Sequence, residues 1–170
     1  MTDINRQAPS DAEVRQAIEL LFFAYRDFVS DPDKVLADYD RAGASLGRAH
    51  HRVIHFVGRN PGLTVAELLS ILQITKQSLA RVLRRLIDEG FIEQERGTED
   101  ARQRLLYLTD KGVAFETALS GPQRARLRRV FETAGAEASL TFRRVLFDLI
   151  NEDAREQVLT LVGKDPQAGF

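Results

Sequence analysis

Between Thr75 and Ile87 the chain carries Lys76, Arg81, Arg84 and Arg85 and no acidic residue. Leu79, Val82, Leu83, Leu86 and Ile87 in the same stretch fall at i, i+3, i+4, i+7 and i+8, the spacing of one helix face. At about 100° per residue, Gln77, Arg81 and Arg84 then point away from that face. Ser78 and Arg85 lie on a flank, and Thr75 and Lys76 sit at the helix start. These side chains suit the edges and backbone of double-stranded DNA. Arginine can bond guanine O6 and N7 together, glutamine matches adenine, and serine or threonine reaches bases or phosphates. Asp88 faces the same way as Arg81 but only at the C-terminal end, so the positive surface is the N-terminal two-thirds of the helix. A basic helix face is common on soluble proteins, and what distinguishes this one is its neighbours.

Upstream, Thr64-Val65-Ala66-Glu67 has capping-box form, and Val65, Leu68, Leu69 and Leu72 make a short apolar stripe. Only Gln73 and Ile74 separate that stripe from Thr75, a good N-cap. Gly90 stands where a helix favours a left-handed residue just past its end. Two helices joined by so tight a turn predict a helix-turn-helix. Residues 91–96 and 104–108 then read as two short strands around the polar loop 97–103, a β-hairpin. Arg102, at the end of that loop, can enter a narrow minor groove, where negative potential concentrates. Asp100 could orient it, and Arg104 follows on the second strand. The plainer alternative is a surface ion pair worth about 0–1 kcal/mol.

The flanking segments must position this unit. Ser10-Asp11-Ala12-Glu13 is a second capping box, opening a helix with Val14, Ile18, Leu21, Phe22, Tyr25 and Val29 at helical spacing. Leu20, Phe23 and Ala24 widen its apolar face until it asks for cover on more than one side. Asp31-Pro32 ends it, and a helix with Leu46, Ala49, His50, Val53, Ile54 and Val57 on one face runs to the Asn60-Pro61-Gly62 turn. Thr109 opens a helix perturbed near Gly121-Pro122. Two more follow, one aligning Phe142, Val145, Leu146, Leu149 and Ile150, the other capped by Asn151. The expected fold is α+β and mostly α, one continuous domain in three parts: N-terminal helices (1–60), the DNA-binding region (61–112) and C-terminal helices (113–170).

Composition narrows the function. The 170 residues are 44% hydrophobic and 29% charged, ordinary for a packed soluble protein. With no cysteine there is no disulfide, thiolate nucleophile or zinc knuckle. No apolar run approaches the ~20 residues of a membrane span and no signal peptide is evident, so a cytoplasmic protein without a membrane partner is expected. The net charge of −1 argues against binding nucleic acid by bulk charge and leaves the work to local patches. No phosphate loop, nucleophile elbow or metalloprotease motif occurs, so neither catalysis nor a cofactor is expected. His51 and His55 are spaced i, i+4 but lack companion ligands, so no metal site is expected. Arg124, Arg126, Arg128 and Arg129 read as a solvated face more readily than as a phosphate contact. His50 and Tyr39 are the candidates for lining a small-molecule pocket.

Residues 64–112 resemble the winged helix-turn-helix of MarR-type transcriptional regulators. The matching landmarks are Ser78, Leu86, Glu89-Gly90-Phe91-Ile92-Glu93, Glu99-Asp100-Ala101-Arg102 and Leu108-Thr109-Asp110-Lys111-Gly112. The Asp-x-Arg followed by Leu-Thr, at this distance after the glycine, is the most diagnostic stretch. The resemblance implies a homodimer with interlocking terminal helices and two recognition helices in successive major grooves of a pseudo-palindromic operator. It also implies a small, often phenolic or anionic, effector bound between the dimerisation and DNA-binding parts. Ser78 and Arg81 fall at the family's base-contacting helix and Arg102 at its wing arginine. Gln94, Glu95, Gly97-Thr98 and Ala101 depart from an arginine-richer wing, for which Arg104 can compensate, and residues 36–48 are atypical. The rival expectation is a winged-helix interaction module that docks its basic face on an acidic protein partner.

Overall fold

Side-chain hydroxyls set four of the helix starts. Ser10 and Glu13 exchange capping bonds at the start of α1 (Asp11–Ser30), and Thr64 and Glu67 do the same for α4 (Val65–Leu72). Thr75 accepts from the Ser78 N–H ahead of α5 (Lys76–Asp88), and Thr109 from the Gly112 N–H ahead of α6 (Asp110–Ala134). Each bond satisfies one of the backbone donors that a helix leaves unpaired at its N-terminus. The remaining helices are α2 (Asp33–Arg41), α3 (Arg48–Arg59), α7 (Ala136–Asp148) and α8 (Glu152–Val162). These elements come from a computed structural model that describes residues 8–41, 46–97 and 102–163.

Three short strands, β1 (Leu63–Thr64), β2 (Ile92–Arg96) and β3 (Arg104–Leu108), form an antiparallel sheet in the order β1-β3-β2. The hairpin register pairs Ile92 with Leu108 and Arg96 with Arg104. β1 is not foreshadowed by the sequence: two residues cannot show alternation, and Leu63 joins the sheet by pairing with Leu106. Helix α2 is a second addition. The chain re-enters helix one residue after Pro32 and buries Leu36, where the sequence predicts a single helix beyond the break. Helix α6 runs unbroken through Gly121-Pro122, although Pro122 lacks the N–H of a normal helical bond.

The core lies under the helix-turn-helix and sheet. It joins Val53, Ile54 and Val57 of α3 to Leu68 and Leu72, to Leu79, Leu83 and Leu86, and to Phe91, Leu106, Phe115 and Leu119. On α3 the buried histidine is His51, while His50 is half-buried and Ala49 exposed, so the apolar face is rotated from the expected one. α1, α7 and α8 bury no residue at all. Among the described residues no helix is long and apolar enough to cross a membrane.

Candidate nucleic-acid interface

Burial of Leu79, Val82, Leu83 and Leu86 fixes the roll of α5, and Lys76, Gln77, Arg81 and Arg84 are exposed as a consequence. Ser78 and Arg85 are half-buried on the flank. The Thr75 hydroxyl donates to Ser78 Oγ at 2.9 Å while accepting from the Ser78 N–H. Ser78 Oγ therefore keeps its own proton for an outside acceptor. Arg85 forms an i, i+4 ion pair with Glu89 at 3.2 Å, which holds it along the helix rather than outward. The helix ends in a Schellman motif: Gly90, at φ 72°, donates to the Ile87 carbonyl and Phe91 donates to that of Leu86. The preceding helix is capped in turn, since Arg52 donates to the Leu72 carbonyl at 3.2 Å.

The wing carries its charge at the far end. Arg96 and Arg104 are directly opposed across the ladder, and Gly97 N–H to Gln103 O at 3.1 Å extends the pairing by one step. Like charges facing each other across a hairpin repel, so an anion between them would relieve that repulsion. Arg102 is exposed beside this pair. Asp100, the expected orienting partner of Arg102, lies outside the described residues. Arg96 is the member of this cluster that reading the sequence missed; pairing 96 with 104 from the hairpin would have found it.

A cavity of about 1120 Å³ opens between the end of α1, α3 and α6. Glu116 stands in its wall with 16% of its side chain exposed. Its carboxylate contacts His55 Nδ1 at 3.2 Å, accepts from Ser120 Oγ and lies 3.7 Å from Arg124. The hydrogen bond to His55 and then that to Ser120 lower its pKa to about 2, against the opposing effect of burial. Burial, followed by the nearby His55, pushes the His51 imidazole down. Neither expected pocket residue is in this lining. Tyr39 instead packs its ring 4.5 Å from Phe115 and 5.9 Å from Phe91. His50 turns back on its own helix, Nδ1 accepting from the Gly47 N–H at 2.9 Å, and burial lowers its pKa. Among the described residues no group of three or more His, Asp or Glu is placed to hold a metal ion. The arginine run on α6 is partly structural, since Arg126 makes two bonds to the Asp31 carboxylate at the end of α1.

The MarR family profile matches residues 44–103. The HTH-type transcriptional regulator PetP of Rhodobacter capsulatus is 51% identical over 137 residues, 81% of this chain and 80% of PetP. Among solved structures, MarR aligns with a TM-score of 0.56 at 21% identity, covering 96% of this chain and all of that one. Streptococcus pneumoniae FabT, solved in complex with DNA, aligns at 0.63 and 19% identity, covering 80% of this chain and 94% of FabT.

Proposed function

The chain belongs to the MarR family of DNA-binding transcriptional regulators, and we propose that it works as a homodimeric, ligand-responsive repressor of a pseudo-palindromic operator. It is a regulator and not an enzyme. The observation that carries the proposal is the exposed Gln77, Arg81 and Arg84 face of α5 beside an arginine-tipped wing on the same body. In this reading Lys76, Gln77, Ser78, Arg81 and Arg84 enter the major groove, Thr75 and Arg85 hold the helix near the backbone, and Arg96, Arg102 and Arg104 meet the minor groove and its phosphates. Residues 61–112 then touch DNA, and the helices of 1–60 and 113–170 hold two copies together.

The repressing signal is relieved, on this proposal, by a small anionic effector in the cavity between α1, α3 and α6. Arg52 and Arg59 border it, together with Arg48, which is paired with Asp33, and Arg124, which is paired with Glu116. Selection of bound sequences from random duplex DNA tests the DNA side directly. With six or more phosphate contacts per dimer, affinity should fall on the order of 10³-fold between 50 and 200 mM salt. Flat affinity over that range, or an undiminished DNA complex in the Arg81→Ala/Arg102→Ala double variant, would favour the protein-docking alternative.

A further inference from the structure

The Schellman turn uses the carbonyls of Leu86 and Ile87 and leaves those of Glu89, Gly90 and Phe91 beyond the end of α5. All three are taken by the first turn of α6. Lys111 Nζ donates to Glu89 O at 2.5 Å, Thr109 Oγ1 to Gly90 O at 2.7 Å, and the Thr109 N–H to Phe91 O at 3.1 Å. The Lys111 ammonium also sits 4.3 Å from the centroid of the Phe91 ring, a cation–π distance. At Gly112 the approach is closer still, because a Cβ there would lie 2.0 Å from the Phe91 carbonyl oxygen. One turn further along α6, the Phe115 ring packs 4.6 Å from that of Phe91.

From this geometry we propose that Thr109 and Lys111 are positioning residues for DNA recognition: they clasp the C-terminal end of α5 to α6 and so fix the angle at which the reading face is presented. A cation beside the last carbonyls is also favoured by the helix dipole, which ties the ammonium to that end rather than to solvent. The same helix α6 carries Glu116 in the cavity wall and, through Arg126, grips the end of α1. A shift of α6 against either neighbour is thereby delivered to α5 through bonds that leave little slack. The inference rests on the DNA-binding proposal, but the clasp itself can be measured without DNA.

The test compares Lys111→Met, which keeps the stem on Phe91 and removes the charge, with Lys111→Arg and Thr109→Val in the full chain. Affinity is measured for a selected operator and for unrelated duplex over a salt series. Backbone amide exchange at Gly90 and Phe91 is followed in the free protein. Lys111→Met should weaken operator binding roughly tenfold, the scale of one displaced base contact. Non-operator binding and the salt slope should stay as they are, exchange at the turn should quicken, and Lys111→Arg should restore all of it. Thr109→Val should give the same pattern. Unchanged operator affinity with unchanged exchange overturns the proposal. So does a loss accompanied by a drop of about 0.9 in the salt slope, which would make Lys111 a phosphate contact. If the unaltered protein selects no operator, the DNA-binding proposal fails, while the exchange comparison still decides the clasp.

Discussion

On the proposed DNA-bound arrangement Arg81 and Arg102 would perform different work, and single substitutions should separate them. Arg81 projects from the middle of the exposed face of α5, where a bidentate pair with a base discriminates by about 1–3 kcal/mol. Arg81→Ala should therefore weaken operator binding by that amount and relax the sequence preference at one position, read by repeating the selection with the variant. Arg102→Ala at the wing should instead weaken binding across sequences and reduce the salt slope by about 1. Glu116 makes a prediction about pH. Its folded-state pKa of about 2 lies below the ordinary 4.5, mainly because of the bond to His55. The stabilisation it brings is complete above the ordinary value and is lost as pH falls from there toward 2. Burial lowers His50 and His51, so they also cost stability as pH falls below their ordinary 6.5. Unfolding midpoints across pH 7 to 2 should thus decline in two stages, and Glu116→Gln should make the lower stage shallower, with Asp31 and Asp33, held below the ordinary value by Arg126 and Arg48, supplying the rest of it. Parallel curves below pH 5 would remove Glu116 from the account.

At the level of elements, the starts of α1 and α4 were legible because a capping hydroxyl and a carboxylate three residues on form a local code, and those of α5 and α6 from the hydroxyl alone. Thr75 illustrates the energetic side: Thr75→Ala removes the bond from Ser78 N–H and should cost about 1 kcal/mol. It should also loosen the first turn of α5, seen as faster amide exchange at Ser78; unchanged exchange there would deny the cap its role. The hairpin and Gly90 were equally readable, since a left-handed residue must follow α5 for the chain to turn into β2. What the sequence did not disclose depends on distant partners. β1 exists only because Leu63 finds Leu106, and α2 because Leu36 finds the core. The choice of His51 over His50 on α3 turns on the rotation of one helix by its neighbours. Arg96 joined the wing cluster only once the register placed it against Arg104. Tyr39 drew notice as a polar aromatic, yet the ring pair Phe91 and Phe115 claims it, a contact between residues more than fifty positions apart.

At the scale of the whole molecule, the decisive fact is where apolar surface remains. Phe22 is 70% exposed, Tyr25 66% and Leu149 62%, with Leu20, Leu21, Phe23, Val145 and Leu146 alongside on the terminal helices. So many large apolar side chains on helices that bury nothing in their own chain mark an interface. In the homodimer proposed above, a second copy would satisfy them by two-fold symmetry, and that symmetry would set two α5 helices about one duplex turn apart. The net charge of −1 per chain makes the arrangement consequential: 24 basic residues are balanced by 25 acidic ones, so one subunit offers DNA only a local patch, and two presented in register would double the phosphates met. Phe22→Asp combined with Leu149→Asp should therefore convert the dimer to monomers in sedimentation equilibrium. The core of α3 to β3 and the first turns of α6 should remain folded, because none of its buried side chains come from α1, α7 or α8. Helical signal should fall by no more than the share of those three helices, which keep only their contacts with α6 and α4. Operator affinity should collapse much further than affinity for unrelated duplex, since the operator is distinguished by engaging both half-sites at once. A variant that stays dimeric, or an unaltered protein that binds its operator tightly as a monomer, would refute this assignment of the terminal helices.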